Sequence, residues 1–124
     1  MSVLLVEDDE VVRTSMAFAL ASAEIQVIEA GTVAEGLECF RQRPTDVVVI
    51  DLHLPDGTGY DLAMWLWRRQ PHLPLVMIST DFDDAGCAQP RSPVARHLSL
   101  LAKPFSASEL LDAISRAAAG PVPT

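Results

Sequence analysis

Val47-Val48-Val49-Ile50-Asp51 is a run of four apolar, β-branched residues closed by a carboxylate. A stretch so uniformly apolar reads as a strand covered on both faces, which implies a parallel sheet with helices on either side. Val3-Leu4-Leu5-Val6 is a second such run, and it too ends in acid, at Glu7-Asp8-Asp9. In open parallel sheets the ligand crevice lies beyond the carboxyl ends of the strands. Acidic groups gathered there repel one another unless a hard cation shares the site. The expectation is a divalent metal held beside a reactive aspartate, Asp51.

Working outward, short apolar segments at 3–6, 25–28, 46–50, 75–79 and 98–102 alternate with helical patterns. A βαβ alternation of this length implies right-handed crossovers and a doubly wound α/β sheet. In the first helix Val12, Ser15-Met16 and Ala19-Leu20 recur at helical spacing, with Asp8 or Asp9 as the cap. The second opens on Thr32 with Glu35 three residues on, a capping box, and sets Ala34, Leu37 and Phe40 on one face before Pro44. The third covers 60–69, with Leu62, Trp65-Leu66 and Arg69, and ends at Pro71. Trp65 and Trp67 are two apart and cannot share a helix face, so one packs inward and the other is partly exposed. Ser106 and Glu109 form another capping box ahead of Leu110, Leu111 and Ile114. Residues 81–99 break the rhythm with Gly86, Pro90 and Pro93, since proline inside a helix costs about 3 kcal/mol. A loop is expected there, with at most a turn or two of helix around 94–97. Residues 120–124 read as a helix stop followed by the start of a linker or C-terminal tail.

Bulk properties narrow the function. A chain of 124 residues is one ordinary domain, and 49% hydrophobic with 21% charged residues is globular composition. The formal charge of −8, with 9 basic residues scattered apart from Arg68-Arg69, argues against a nucleic-acid surface on this segment. Cys39 and Cys87 form no ligand pattern and read as reduced thiols. Neither a signal peptide nor an apolar run of roughly 20 residues is visible, so a soluble, cytoplasmic protein without membrane contact is expected.

Four strand ends thus converge on one crevice, carrying Glu7-Asp8-Asp9, Asp51, Ser79 and Lys103. Mg²⁺ asks for oxygen ligands and keeps several waters, so one or two carboxylates with a backbone carbonyl and a phosphoryl oxygen suffice. A carboxylate can also act as nucleophile and form an acyl phosphate, while a lysine and a hydroxyl opposite neutralise and hydrogen-bond the phosphoryl oxygens.

This constellation resembles the receiver domain of two-component response regulators. The resemblance is carried by Leu4-Leu5-Val6-Glu7-Asp8-Asp9, by Val49-Ile50-Asp51-Leu52-His53-Leu54-Pro55-Asp56-Gly57, by Val76-Met77-Ile78-Ser79 and by Leu101-Ala102-Lys103-Pro104-Phe105. It implies a flavodoxin-like, five-stranded parallel sheet of order 2-1-3-4-5 with the fourth helix short or disordered, residues 1–119 forming the receiver domain. It further implies that Asp51 is the phosphoacceptor, that Asp8 and Asp51 bind Mg²⁺ directly, and that Glu7 holds a metal-bound water or is itself a ligand. The backbone carbonyl of His53 would complete the protein's share of the shell, Ser79 matches the switch hydroxyl, and Lys103, before a cis Pro104, matches the phosphate-binding lysine. The implied partners are a histidine kinase or phosphotransfer protein as donor, and a C-terminal output domain or a homodimer as receiver of the signal. The implied role is a signalling phosphoacceptor rather than a turnover enzyme, as the N-terminal domain of a larger regulator.

The chain departs from that family in three places. Leu100 stands where the family has an aromatic switch residue, which with the proline-rich 81–99 removes the usual relay through the fourth helix. Thr80 follows Ser79 where a very small residue is favoured, narrowing the donor's path to Asp51. His53 and Asp81 stand two positions beyond Asp51 and Ser79, where the resemblance implies residues that flank the line of water attack and tune the lifetime of the phosphoryl group, so this pair is expected to set an individual dephosphorylation rate. The alternative reading is a pseudo-receiver that works by protein contact alone. A phosphatase-like hydrolase would want an aspartate where His53 stands, and a cap insertion that is missing.

Overall fold

Backbone hydrogen bonding assigns, in chain order, β1 (Ser2–Val6), α1 (Glu10–Ser22), β2 (Gln26–Ala30), α2 (Val33–Gln42) and β3 (Val47–Asp51). Next come β4 (His53–Leu54), β5 (Gly57–Thr58), α3 (Gly59–Arg69), β6 (Leu75–Ser79), β7 (Leu98–Ala102) and α4 (Ala107–Ala119). These assignments come from a computed structural model that describes residues 1–80 and 98–119. Of the expected loop at 81–99, residues 98 and 99 belong to β7, and the rest, with Asp81 and Cys87, lies outside the described residues, as does the linker reading of 120–124.

Five strands pair in parallel in the order β2-β1-β3-β6-β7, and β4 and β5 form a separate two-residue hairpin. With that hairpin set aside, this is the expected 2-1-3-4-5 arrangement. Strand order reverses at β1, which lies between β2 and β3, and that is where such sheets open a crevice. The register is what makes the crevice chemical. Val6 pairs with Ile50, Asp51 with Ile78, and Ser79 with Ala102, so the carboxyl ends of β1, β3, β6 and β7 finish nearly level.

The opening run shows why no alternation is visible in the sequence. Val47, Val48, Val49 and Ile50 have no solvent exposure at all. Successive side chains leave a strand on opposite faces, so Val48 and Ile50 join Leu62, Leu66 and Trp67 of α3, whereas Val47 and Val49 join Met16 and Leu20 of α1 and Leu110 and Ile114 of α4. Each fully buried aliphatic side chain contributes about 1.5–3 kcal/mol, and helices on both faces let all four contribute.

Helix starts follow the short polar residues. Asp9 caps α1 by accepting from the amides of Val11 and Val12. Ser106 and Glu109 exchange side chain-to-backbone bonds in both directions ahead of α4. Thr58 and Asp61 do the same for α3. At α2 the box is only half made. Thr32 Oγ1 accepts from Glu35 N at 3.0 Å, but the Glu35 carboxylate accepts from Gly31 N at 2.7 Å instead. The first two amides of α2 are capped from far away, by Asp56 Oδ1 and Oδ2 at 2.8 and 3.0 Å.

Two expectations about helix faces need correction. Ala34 is exposed, and Gly36 takes the innermost place on α2, where a β-carbon would stand only 3.1 Å from Leu62 and 3.2 Å from Val6. The inward face is therefore Val33, Gly36, Leu37 and Phe40. Ser15 is also exposed, leaving Met16 and Leu20 to hold α1 down. The tryptophans divide as the spacing requires. Trp67 is buried and donates its indole N–H to Leu73 O, while Trp65 is half-buried, edge-on to Phe40 and covered by the guanidinium of Arg69. Among the described residues, no helix is long and apolar enough to cross a membrane.

Candidate functional site

β1 delivers Glu7 into the crevice with its backbone already tied. Glu7 N donates to Ala30 O of β2 at 3.0 Å, and Glu7 O accepts from Arg13 Nη1 of α1 at 2.8 Å. Its side chain is 1% exposed. β3 delivers Asp51, whose Oδ1 accepts from the amide of His53 at 2.9 Å. Lys103 follows β7, and its amide donates to Ser79 O, so the ends of β6 and β7 are bonded to each other. The peptide between Lys103 and Pro104 is cis.

Lys103 Nζ lies 2.8 Å from Glu7 Oε1 and 2.8 Å from Asp51 Oδ2, bridging residues 96 and 52 positions away. Asp8 is exposed, yet its carboxylate completes a group with Glu7 and Asp51 in which the donor oxygens all lie within 4.8 Å of one another. Glu7 and Asp51 share one ammonium, and Asp8 adds a third carboxylate beside them. Such a set repels itself unless a proton or a further cation joins it.

The titration behaviour reports that strain. Burial pushes the Glu7 carboxyl up to about 8, the neighbouring Asp51 adds to the rise, and Lys103 opposes it. Burial presses Asp51 upward as well, but the neighbouring Glu7 carboxyl, the Lys103 ammonium and the His53 amide outweigh it and hold Asp51 below the usual carboxylate range. Lys103 is held above its ordinary value: burial works against its charge, and the two carboxylates more than restore it. Within the pair, burial favours the protonated form of Glu7, while the neighbours of Asp51 favour its charged form.

The donor set suits a hard divalent cation. Glu7 Oε2 is buried and has no hydrogen-bond partner among the described residues, and three carboxylates close together are the oxygen-rich shell that Mg²⁺ accepts. A cation there would take up the orphaned oxygen.

The remaining expected residues fall around this centre. Ser79 is buried at the end of β6, one strand from Asp51. His53 is exposed and opens β4 two residues after Asp51. Thr80 is exposed on the rim, where with Val11, Val12, Met16, Lys103 and Phe105 it lines part of a cavity of about 510 Å³. Leu100 is half-buried on β7 opposite Met77 and packs toward the α2 and α3 side. Asp81 lies outside the described residues.

Sequence reading missed three contributors. Asp56 caps α2 by accepting from the amides of Val33 and Ala34. Arg13 holds the Glu7 carbonyl and approaches Glu29 at 3.4 Å. Gly59 lets the start of α3 press on the site strand, since a β-carbon there would meet Asp51 O at 2.6 Å. The first two act across distances no local motif reports. The Thr58–Asp61 box, by contrast, was visible in the sequence and would have put the start of α3 at Gly59.

Comparison with known proteins agrees with this geometry. The family model described as the response regulator receiver domain matches residues 3–115. The chain is 30% identical over 120 residues to the DNA-binding transcriptional regulator NtrC of a Bradyrhizobium species, covering 97% of this chain and 25% of that protein. It is 42% identical over 86 residues to the DNA-binding transcriptional activator DevR/DosR of Mycobacterium tuberculosis, covering 67% of this chain and 40% of that one. The chain therefore spans well under half the length of these relatives. Among solved structures, the non-phosphorylated HemR receiver domain from Leptospira biflexa superimposes with a TM-score of 0.76 at 28% identity, covering 99% of this chain and 98% of that one. A sensor protein from Polaromonas sp. JS666 gives a TM-score of 0.83 at 26% identity, with 95% of each chain covered.

Proposed function

Because the chain belongs to the response regulator receiver family, we propose that it accepts a phosphoryl group onto Asp51 from a histidine kinase or phosphotransfer protein and passes on a conformational signal. The observation that carries this reading is the Lys103 ammonium 2.8 Å from the nine-tenths buried carboxylate of Asp51 at the carboxyl end of β3. An Asp51 oxygen attacks phosphorus, the O–P bond forms as the donor's N–P bond breaks, and the leaving imidazole takes up a proton. Lys103, already poised on the carboxylate, follows the developing charge onto the phosphoryl oxygens.

Asp8, Asp51, the His53 backbone carbonyl and Glu7, directly or through water, would hold Mg²⁺, whose contribution is to neutralise phosphoryl charge. Ser79 offers a hydroxyl to a phosphoryl oxygen. Thr80 narrows the donor's approach, and His53 and Asp81 set the lifetime of the acyl phosphate. Residues 1–119 form the receiver, acting through a C-terminal output domain or a homodimer, in the cytoplasm and without touching nucleic acid or membrane itself. Leu100, lacking a hydroxyl-tipped ring, points to an output path other than the usual aromatic swing.

Incubation with acetyl phosphate and Mg²⁺ should label the chain once, and Asp51→Asn or removal of Mg²⁺ should abolish it. In the same assay Thr80→Ala should label faster, and His53→Ala should change the decay half-life. No labelling of the native chain at saturating Mg²⁺ would instead favour a module that works by contact alone.

A further inference from the structure

We propose that Arg13 is a positioning residue for the acidic loop that holds the cation, an inference that rests on the reading of the site given above. Arg13 lies one turn into α1 and is mostly buried, with 22% of its side chain exposed. Nη1 donates to Glu7 O at 2.8 Å, and Nε faces Glu29 Oε1 at 3.4 Å. The partner on the other side of Glu7 is also on β2, through Ala30 O. The residue that carries the buried carboxylate is thus clamped at both backbone ends, and the carbonyl that Arg13 holds belongs to the peptide leading into Asp8.

The turn after β2 is shaped to admit this guanidinium. A β-carbon on Gly31 would stand 3.0 Å from Arg13 Nη1 and 3.3 Å from Glu35 Oε1. Glu35 in turn fixes Gly31 through its amide at 2.7 Å. A planar fork can serve the carbonyl and the carboxylate at once, which a single ammonium cannot do in the same way. Glu29 is half-exposed, so its ion pair contributes little; the bond to the Glu7 carbonyl is the one that matters.

Charge and position predict opposite signs here. A guanidinium beside a cation site repels the cation, so if Arg13 acted through its charge, removing it would tighten Mg²⁺ binding. If it acts by holding the Glu7–Asp8 peptide, removing it lets the two carboxylates drift from Asp51 and weakens binding. Groups that orient metal ligands from behind are worth about 10–100-fold in affinity.

The test is a MgCl₂ titration of the metal-free full chain, followed by amide chemical shifts, for native protein, Arg13→Ala and Gly31→Ala. Arg13→Ala should raise the Mg²⁺ dissociation constant by about 10-fold or more, and the Mg²⁺ concentration for half-maximal Asp51 labelling should rise in parallel. Gly31→Ala keeps the charge but displaces the fork, so it should weaken binding in the same direction and by less. It decides the matter if Arg13→Ala does not fold. Unchanged or tighter Mg²⁺ binding in the variants, with the native chain binding and labelling normally, overturns the role of Arg13 alone. Absence of saturable Mg²⁺ binding in the native chain overturns the reading of the site, and the role of Arg13 falls with it.

Discussion

Glu7 and Asp51 are neighbours that titrate in opposite directions, and the difference has a consequence for stability. Glu7 in the metal-free fold holds its proton up to about 8 against an ordinary 4.5. A native carboxyl with a raised value stabilises fully below the unfolded value, and that contribution is lost as pH climbs from 4.5 toward 8. Asp51 is depressed, so its contribution is present above the ordinary 3.8 and is lost only as pH falls through its lower native value. Lys103 keeps its charge throughout this window. The metal-free protein should therefore lose thermal stability between pH 5 and 8, and Glu7→Gln should flatten that decline. Thermal unfolding at several pH values in chelator checks it; a Glu7→Gln slope as steep as the native one would sink the assignment. Glu7 was legible as an acid at a strand end, but its protonation was not, because only the fold supplies its burial and its distance from Asp51.

Among the elements, α3 shows how closely the site strand is backed. Gly59 N donates to Leu52 O at 2.8 Å, and the missing side chain is what allows it, since a β-carbon would meet Asp51 O at 2.6 Å and Met77 Sδ at 2.9 Å. Gly59→Ala should destabilise the fold by about 1–3 kcal/mol through overpacking, read as a lower denaturation midpoint in urea, and should also slow Asp51 labelling because the carbonyl end of β3 must shift. Stability equal to native would refute the packing argument. The element boundaries themselves were largely legible: strands 75–79 and 98–102 appear at the residues expected, and the Ser106–Glu109 box is made in both directions. The second strand lies at 26–30 rather than 25–28, and the inner face of α2 turns on Gly36 instead of Ala34. The α2 error has a plain cause: residue hydrophobicity ranks alanine above glycine for burial, whereas a β-carbon at Gly36 would stand only 3.1–3.2 Å from Leu62 and Val6.

Across the whole molecule, the reversal of strand order at β1 sets Glu7 and Asp8 beside Asp51, and the register of β6 and β7 carries Lys103 to both. A cation binding that cluster binds the folded chain only, so it should raise the unfolding temperature. At 100-fold excess over its dissociation constant the gain is about 2.7 kcal/mol. Thermal scans with MgCl₂ and with chelator measure it, and Asp51→Asn should remove most of the difference. A native protein indifferent to MgCl₂ would contradict the metal reading. Fold class and the four strand-end motifs could be read from the chain alone, because continuous apolar runs bounded by acid, hydroxyl and lysine are local patterns that suit a parallel sheet covered on both faces; the strand order followed from the resemblance to receiver domains and is borne out. The cap from Asp56 to α2, the clamp from Arg13 to Glu7 and the raised titration of Glu7 could not. Asp56 reaches α2 from a distant part of the sequence, Arg13 closes back on Glu7 only once α1 packs beside β1, and Glu7 loses its water only when the sheet closes and the helices cover it.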